Sequence, residues 1–369
     1  MCIRDRLNPL QEADLARQID EWTKSGVIEP SNACWASALV PVAKKGTNQL
    51  RWCTDFRQLN AITIKDVFPL PNIQATLNKL AGSRIFSTWD SKGAYHSIEL
   101  AAESRDLTTF ISPLGLFRYI CVPFGLCNAG QIYSRMINKA ILLSKNQTHS
   151  MSYLDDVITH SKTLHEHVKH VESILAMHAK YGLKLNLKKC QVFQASVQYL
   201  GHVVSEKGIE MLPSHVEKIL NWKIPETGKE LQSFLGFVNY YSAFLKEYGK
   251  LSADMNGLRN KKGPIELTAS MKSDFEKLKQ AFSKSPVRAY PDFSTQASPF
   301  VLDTDYSSKC CGGVLSQMQN GQERFIACCA SKNNAAQASY PSHKGELLAV
   351  VTALQKFEHL LQMRQFILR

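Results

Sequence analysis

The chain has 369 residues, 44% of them hydrophobic, which excludes a disordered polymer and leaves room for two or three domains with buried cores. Its formal net charge of +12, with a pI of about 9.1, suits a polyanionic partner such as nucleic acid. Ten cysteines without CxxC spacing, including the doublets Cys310/Cys311 and Cys328/Cys329, indicate neither a disulfide framework nor a zinc site and fit a reducing cell interior; apolar runs such as LLAVV (Leu347 to Val351) fall far short of the roughly 18 residues of a membrane span.

Met1 to Arg6, MCIRDR, has no apolar signal core and reads as a translated sequencing adapter, ATGTGTATAAGAGACAG. These six residues are expected to be a scar on an incomplete reading frame. From residue 7 to about 85, helical periodicity in EADLARQIDEWTKSG mixes with short strands in ALVPVAKKG and LRWCTDF. RIFSTWDSKGAYHSIEL predicts a strand, turn and helix, and FRYICVPFGLCNAGQIYSRMINKAI a strand, a Pro-Phe-Gly turn and a helix. A hairpin at MSYLDDVITHS follows. Leu164, Val168, Val171 and Leu175 recur at helical spacing before a capping Gly182 and predict a helix lying on a sheet. His165, His167 and His170 have no cysteine or carboxylate constellation beside them, so a solvated helix face is expected rather than a metal site. VQYLGHVVSEKGIE predicts a hairpin-like pair of strands, Thr227 with Glu230 a capping box for KELQSFLGFVNYYSAFL, and Asn260 to Gly263 a linker. The helix SMKSDFEKLKQAF then precedes a fresh strand-rich start at PFVLDTDYSSKCCGGVLSQ, with no internal repeat anywhere.

The adjacent carboxylates Asp155 and Asp156 admit two readings. Asp tolerates turns, and Val157, Ile158 and Thr159 favour a strand, so the pair can be a polar turn between strands. Alternatively, the strands pin both charges at a hairpin tip, where a metal ion offsets their repulsion. Asp90, ending the apolar strand IFSTWD, supplies a third acid from another strand, which two-metal phosphoryl transfer requires.

In order, RWCTDFRQLN, FSTWDSKGAYHSI, VPFGLCNAG, YLDD, GLKLNLKKC, YLGHVVSEKGI and KELQSFLGFVNYY resemble the reverse transcriptase blocks of gypsy-class long-terminal-repeat retrotransposons. FVLDTDYS and GELLAVVTAL resemble the ribonuclease H domain that follows in that family. The resemblance runs from about residue 7 to the C-terminus. It implies an α+β right-hand polymerase with fingers and palm (antiparallel sheet) over residues 7–205 and a thumb over 206–262, then a connecting segment at 263–296 and a truncated ribonuclease H-like α/β domain at 297–369.

The same resemblance implies roles. Asp90, Asp155 and Asp156 match the catalytic metal ligands for two Mg²⁺ ions, with Mn²⁺ as a substitute. Tyr95 matches the aromatic gate under the incoming sugar, although alone it could be a core tyrosine. Lys44 and Arg51 match the finger cations on the triphosphate, Phe124 a residue of the nucleotide pocket, and Leu200, Gly201 and His202 the strand that grips the primer end. Basic residues such as Lys184, Lys188 and Lys189 would track phosphates without reading bases. The chain departs from the family at Gly130, where proline is usual, and at Trp89, where leucine is usual.

The expected activity is RNA-directed and DNA-directed DNA polymerisation on a primed RNA or DNA template from deoxynucleoside triphosphates, inside the cell in retroelement particles, with no membrane partner. The alternatives are a decayed or domesticated nucleic-acid-binding remnant, against which the intact acids speak, and an RNA-dependent RNA polymerase, against which Tyr95 speaks. For ribonuclease H chemistry the resemblance supplies Asp305 and Glu346, with Asp303 a near-miss for the first. The family's next aspartate lies beyond RQFILR, so hybrid cleavage is expected to be absent from this chain.

Overall fold

A computed structural model describes residues 7–43 and 50–369, and the chain divides into two compact units, Met1–Ile73 with Ile85–Gln194, and Gln74–Arg84 with Ala195–Arg369. In the first unit α1 (Pro9–Lys24) opens on a capping box between Asn8 and Gln11 and buries Leu15 and Ile19. Then come β1 (Ile28–Pro30), β2 (Ser37–Ala43), β3 (Leu50–Thr54), α2 (Arg57–Ile62) and α3 (Ile73–Asn78), the last leading into the other unit. They are followed by β4 (Ile85–Asp90), α4 (Ala102–Arg105), β5 (Phe110–Ser112), β6 (Gly115–Tyr119), α5 (Ala129–Leu143), β7 (Ser150–Tyr153), β8 (Asp156–Ser161), α6 (Leu164–Lys180) and β9 (Gln191–Gln194). Two sheets result, β1-β6-β5-β2-β3 and β7-β8-β4-β9. The second is antiparallel throughout, and Trp89, Tyr133, Ile137, Val157, Val171, Ile174 and Met177 form the core between it and helices α5 and α6.

Helix α6 lies on that sheet, but not through the expected stripe. Val171 is buried, whereas Leu164, Val168 and Leu175 are exposed; the inward face carries His167, Val171, Ile174, Met177 and His178. The expectation that the histidines face solvent is therefore corrected for His167, which is fully enclosed. Its two ring nitrogens are satisfied by Ser161 Oγ at 2.7 Å and Ser87 Oγ at 2.8 Å, so the sheet offers hydroxyls where hydropathy alone would ask for methyl groups.

In the second unit β10 (Ser196–Tyr199), β11 (His202–Ser205) and β12 (Gly208–Met211) form a three-stranded meander, one strand more than the expected pair. Helices α7 (Pro213–Leu220), α8 (Gly228–Tyr240), α9 (Tyr248–Ser252) and α10 (Ala269–Ser283) follow. Thr227 caps α8 by accepting from the Glu230 N–H at 3.2 Å, but the Glu230 carboxylate reaches the N–H of Glu226, one residue outside a capping box. The stretch Asn260 to Gly263 is not a free linker. A Cβ on Gly228 would stand 2.1 Å from the Lys261 carbonyl, and Thr227 bridges Pro264, so the segment is docked on the start of α8.

The unit ends with β13 (Phe300–Tyr306), β14 (Cys310–Gln319), β15 (Gln322–Lys332), α11 (Ala335–Ala338), α12 (Ser342–Leu361) and β16 (Phe366–Leu368). The sheet order is β15-β14-β13-β16, with β16 parallel to β13, and α12 packs Ala353, Phe357 and Leu360 on Phe300, Leu302 and Leu315. Among the described residues no helix is long and apolar enough to cross a membrane.

Candidate active site

The register of the antiparallel pair β4–β8 sets Asp90 directly opposite Asp156. Tyr153 pairs with Asp156 across β7–β8, leaving Leu154 and Asp155 as a two-residue loop in which Leu154 has φ +54°. A leucine in the left-handed region costs roughly 1–2 kcal/mol, so the turn that presents Asp155 is strained. Three acids separated in sequence by up to 66 positions are thereby gathered at one corner of the sheet. Asp90 is anchored from the segment 186–190: its carbonyl accepts from the Asn186 N–H at 2.9 Å, its N–H donates to Cys190 Sγ at 3.5 Å, and its carboxylate receives Lys189 Nζ at 3.3 Å. The carboxyl of Asp156 is held above the usual range, first by desolvation and then by repulsion from Asp155 and Asp90, with Lys189 opposing. An all-carboxylate oxygen set carrying uncompensated charge fits a hard divalent cation such as Mg²⁺. As placed, the three acids do not enclose an ion, since no group of three His, Cys, Asp or Glu side chains among the described residues does so.

Beside the acids lies an aromatic floor. Tyr95 meets Phe124 edge-on at 5.1 Å and Tyr133 at 5.9 Å between ring centroids, and Phe124 also contacts His96 at 5.3 Å. Burial raises the pKa of the Tyr95 hydroxyl, with Asp155 adding to the rise, and burial lowers that of His96. Phe124 is 48% exposed and reaches into open space because Gly125 turns the chain with φ +98°, where a Cβ would press on the Thr54 carbonyl at 3.3 Å. Gly130 lies under this floor; a Cβ there would stand 3.3 Å from Leu154 and 4.0 Å from the Tyr95 hydroxyl. Trp89 buries its ring in the core and donates its N–H to Thr159 Oγ1 at 3.0 Å, so the larger side chain is accommodated by a hydrogen bond across the strand pair. Arg51 is exposed on β3, and Lys44 lies outside the described residues.

Residues 42–204 match the family described as reverse transcriptase (RNA-dependent DNA polymerase), and residues 267–368 the RNase H-like domain found in reverse transcriptase. The chain carries a reverse transcriptase family domain followed by a ribonuclease H-like domain. It is 35% identical over 365 residues to the retrovirus-related Pol polyprotein from transposon 297 of Drosophila melanogaster, covering 97% of this chain and 33% of that one. It is 34% identical over 347 residues to the transposon Tf2-3 polyprotein of Schizosaccharomyces pombe, covering 94% and 26%. The segment thus spans a third or less of the curated relatives it matches. In fold it is similar to the foamy viral protease-reverse transcriptase dRH in complex with ds DNA, with a TM-score of 0.87 and 21% identity over 98% of this chain and 63% of that one. The foamy viral protease-reverse transcriptase in complex with RNA/DNA hybrid matches with a TM-score of 0.82 and 21% identity over 98% and 48%. The α+β right-hand polymerase fold followed by a ribonuclease H-like domain is shown by these likenesses.

In the second unit, Leu200 and Gly201 form a two-residue hairpin loop with φ +46° and +68°, between the paired Tyr199 and His202. What approaches Gly201 most closely is the Tyr241 hydroxyl, 3.1 Å from where a Cβ would be, and Tyr240 and Tyr241 donate to the carbonyls of Leu200 and Gly201 at 2.7 and 2.6 Å. His202 is wholly buried against Tyr240, Tyr241 and Phe244, so it supports this loop from beneath. Asp303 and Asp305 of β13 line a cavity of about 350 Å³ with Lys246, Lys250 and Cys310, whereas Glu346, exposed in the first turns of α12, lies outside that lining. The pair Ser91 and Tyr133, joined by a 2.8 Å hydrogen bond next to Asp90, carried no distinguishing signal in the sequence.

Proposed function

We propose that the segment is an RNA- and DNA-directed DNA polymerase that transfers a nucleotidyl group from a deoxynucleoside triphosphate to a primer 3′-hydroxyl. The observation that supports this reading is the register pairing of Asp90 with Asp156, with Asp155 in the intervening tight turn, beside the floor of Tyr95 and Phe124. Two Mg²⁺ ions held by the three acids would supply activation of the attacking hydroxyl and charge neutralisation on the departing pyrophosphate. The chain's own residues bind and orient. Tyr95 offers its ring under the sugar and excludes a 2′-hydroxyl by contact, and Phe124 closes the same pocket from the Pro-Phe-Gly turn. Arg51, with Lys44, holds the triphosphate through a planar fork and a point charge. Leu200 and Gly201 present main chain to the primer end, braced by two tyrosines and His202. The net charge of +12 draws in a template of either chemistry, and a particle inside the cell is the setting.

Primer extension on RNA and DNA templates tests the reading. Asp155→Asn keeps size and removes a charged ligand, so extension should fall by at least about a thousandfold while template affinity, measured by fluorescence anisotropy, stays within a few-fold. A variant as active as the parent would falsify the assignment.

A further inference from the structure

Tyr133 is fully buried on α5, in the core shared with Trp89, Ala94 and Ile137. Its ring meets the ring of Tyr95 edge-on, and its hydroxyl donates to Ser91 Oγ at 2.8 Å. Ser91 is the residue immediately after Asp90 and forms a bridge with Leu185, in the segment that also holds Asp90 through Asn186 and Lys189. One side chain therefore touches the aromatic gate with its ring and the catalytic strand end with its hydroxyl. The other neighbours of Tyr95 do not make that join: Phe124 meets its ring at 5.1 Å, and Gly130 has no side chain to offer near the Tyr95 hydroxyl. Burial raises the Tyr133 pKa, so the hydroxyl stays protonated and remains a donor across the working range.

We propose that Tyr133 is a positioning residue for sugar discrimination: its hydrogen bond to Ser91 ties the ring of Tyr95 to the strand end that carries Asp90. The inference rests on the reading of Tyr95 as the sugar gate. A gate discriminates by a steric clash, and a clash of a few tenths of an ångström is effective only if the ring cannot tilt away. With the tie in place, Tyr95 can yield only by moving Tyr133 and the strand end together.

The test is single-nucleotide primer extension with dCTP and CTP in Mg²⁺, giving the ratio of kcat/KM for the two sugars. Tyr133→Phe removes one oxygen and keeps the ring, and should lower that ratio about three- to tenfold. Ser91→Ala should lower it similarly, and the double variant should fall no further than the worse single, because both remove one interaction. A merely structural role would instead depress kcat/KM for both sugars equally, leave the ratio unchanged and lower Tm, and that result overturns the proposal. Tyr95→Val is the control. If it leaves the ratio unchanged, the gate reading fails; if it lowers the ratio while both Tyr133→Phe and Ser91→Ala keep the parental value, the gate stands and the proposal for Tyr133 is overturned. Should Tyr133→Phe fail to fold, Ser91→Ala, on a partly exposed residue, decides alone.

Discussion

A cluster of four histidines, His149, His160, His167 and His170, lies in the seam between α6 and the sheet carrying Asp90 and Asp156, and sets an acid limit on the fold. His149 and His170 stack with ring centroids 3.7 Å apart, and Ser161 Oγ bridges the Nδ1 atoms of His167 and His170 at 2.7 Å each. His149, His160 and His167 are all lowered to about 4, in each case first by burial and then by neighbouring histidines. Among the described residues the groups facing this cluster are hydroxyls and an amide, Ser87 of β4, Ser161 of β8 and Asn146 before β7, which also accepts from Ser173 of α6; Glu166 feels His170 but is capped on Thr163. A folded pKa below the unfolded value of 6.5 means the unfolded chain binds the proton more readily. The stabilisation is complete above about pH 6.5 and is lost as pH falls toward 4. His167, wholly enclosed, sets the scale: a drop from 6.5 to about 4 is about 2.5 pH decades, or about 3 kcal/mol at 1.36 kcal/mol per decade.

His167→Gln keeps a polar side chain that can reach one of the two serines but cannot take up a proton. At pH 7.5 it should cost about 1–2 kcal/mol for the lost hydrogen bond. At pH 5 the parent has surrendered about 2 kcal/mol at this position, so the two stability curves should meet near there. The readout is denaturant-dependent hydrogen exchange of the α6 amides in the full chain, since local opening of α6 bares the back of the sheet carrying Asp90 and Asp156. Parallel stability curves for parent and variant from pH 4 to 7.5 would show that His167 does not titrate with unfolding, and the reasoning would be refuted.

Leu200→Asn converts a strained Leu-Gly loop into Asn-Gly, the preferred pair for two consecutive positive φ angles, and should raise stability by about 1 kcal/mol, read as a Tm increase of a few degrees; a lower Tm would mean that the Leu200 side chain matters more than its backbone. The 369-residue chain should not cleave the RNA strand of a hybrid: Asp305 and Glu346 need a further carboxylate, and the next acid on α12, Glu358, is about 18 Å further along a continuous helix. Mg²⁺-dependent cleavage that disappears in Asp305→Asn would contradict this.

The corner that gathers Asp90, Asp155 and Asp156 was legible because its signals are local and reinforcing. Two acids beside Val157, Ile158 and Thr159 mark a strand boundary whether read as a turn or as a hairpin tip, and IFSTWD supplies the third at the end of another strand. Only the register that brings them together, 66 positions apart, needed the structure. The inward face of α6 was not legible, because an enclosed imidazole satisfied by two serines inverts the hydropathy rule: the apolar stripe Leu164, Val168 and Leu175 points out and His167 points in. The docking of Asn260 to Gly263 was equally hidden, since it depends on Gly228 letting the Lys261 carbonyl approach, a contact no periodicity encodes.

The corner of Asp90, Asp155 and Asp156 opposes two tendencies of a sheet. Like charges directly across an antiparallel pair are destabilising, and Asp90 faces Asp156. A leucine at positive φ is strained, and Leu154 occupies the turn that presents Asp155. The rest of the same ladder offsets both. Trp89 opposite Val157, and Phe86 and Ile158 buried at 0% exposure, bury large apolar surface within a few residues of the acids, and at roughly 25 cal/mol per Å² each such side chain contributes about 1.5–3 kcal/mol. Lys189 contributes less, since an ion pair with one partner two-thirds exposed is worth about 0–1 kcal/mol and weakens with salt. The acids therefore owe their placement to apolar packing behind them rather than to the cation in front. That ordering fits a polymerase site, in which the charges must stay available to a divalent ion while the strands that carry them do not move.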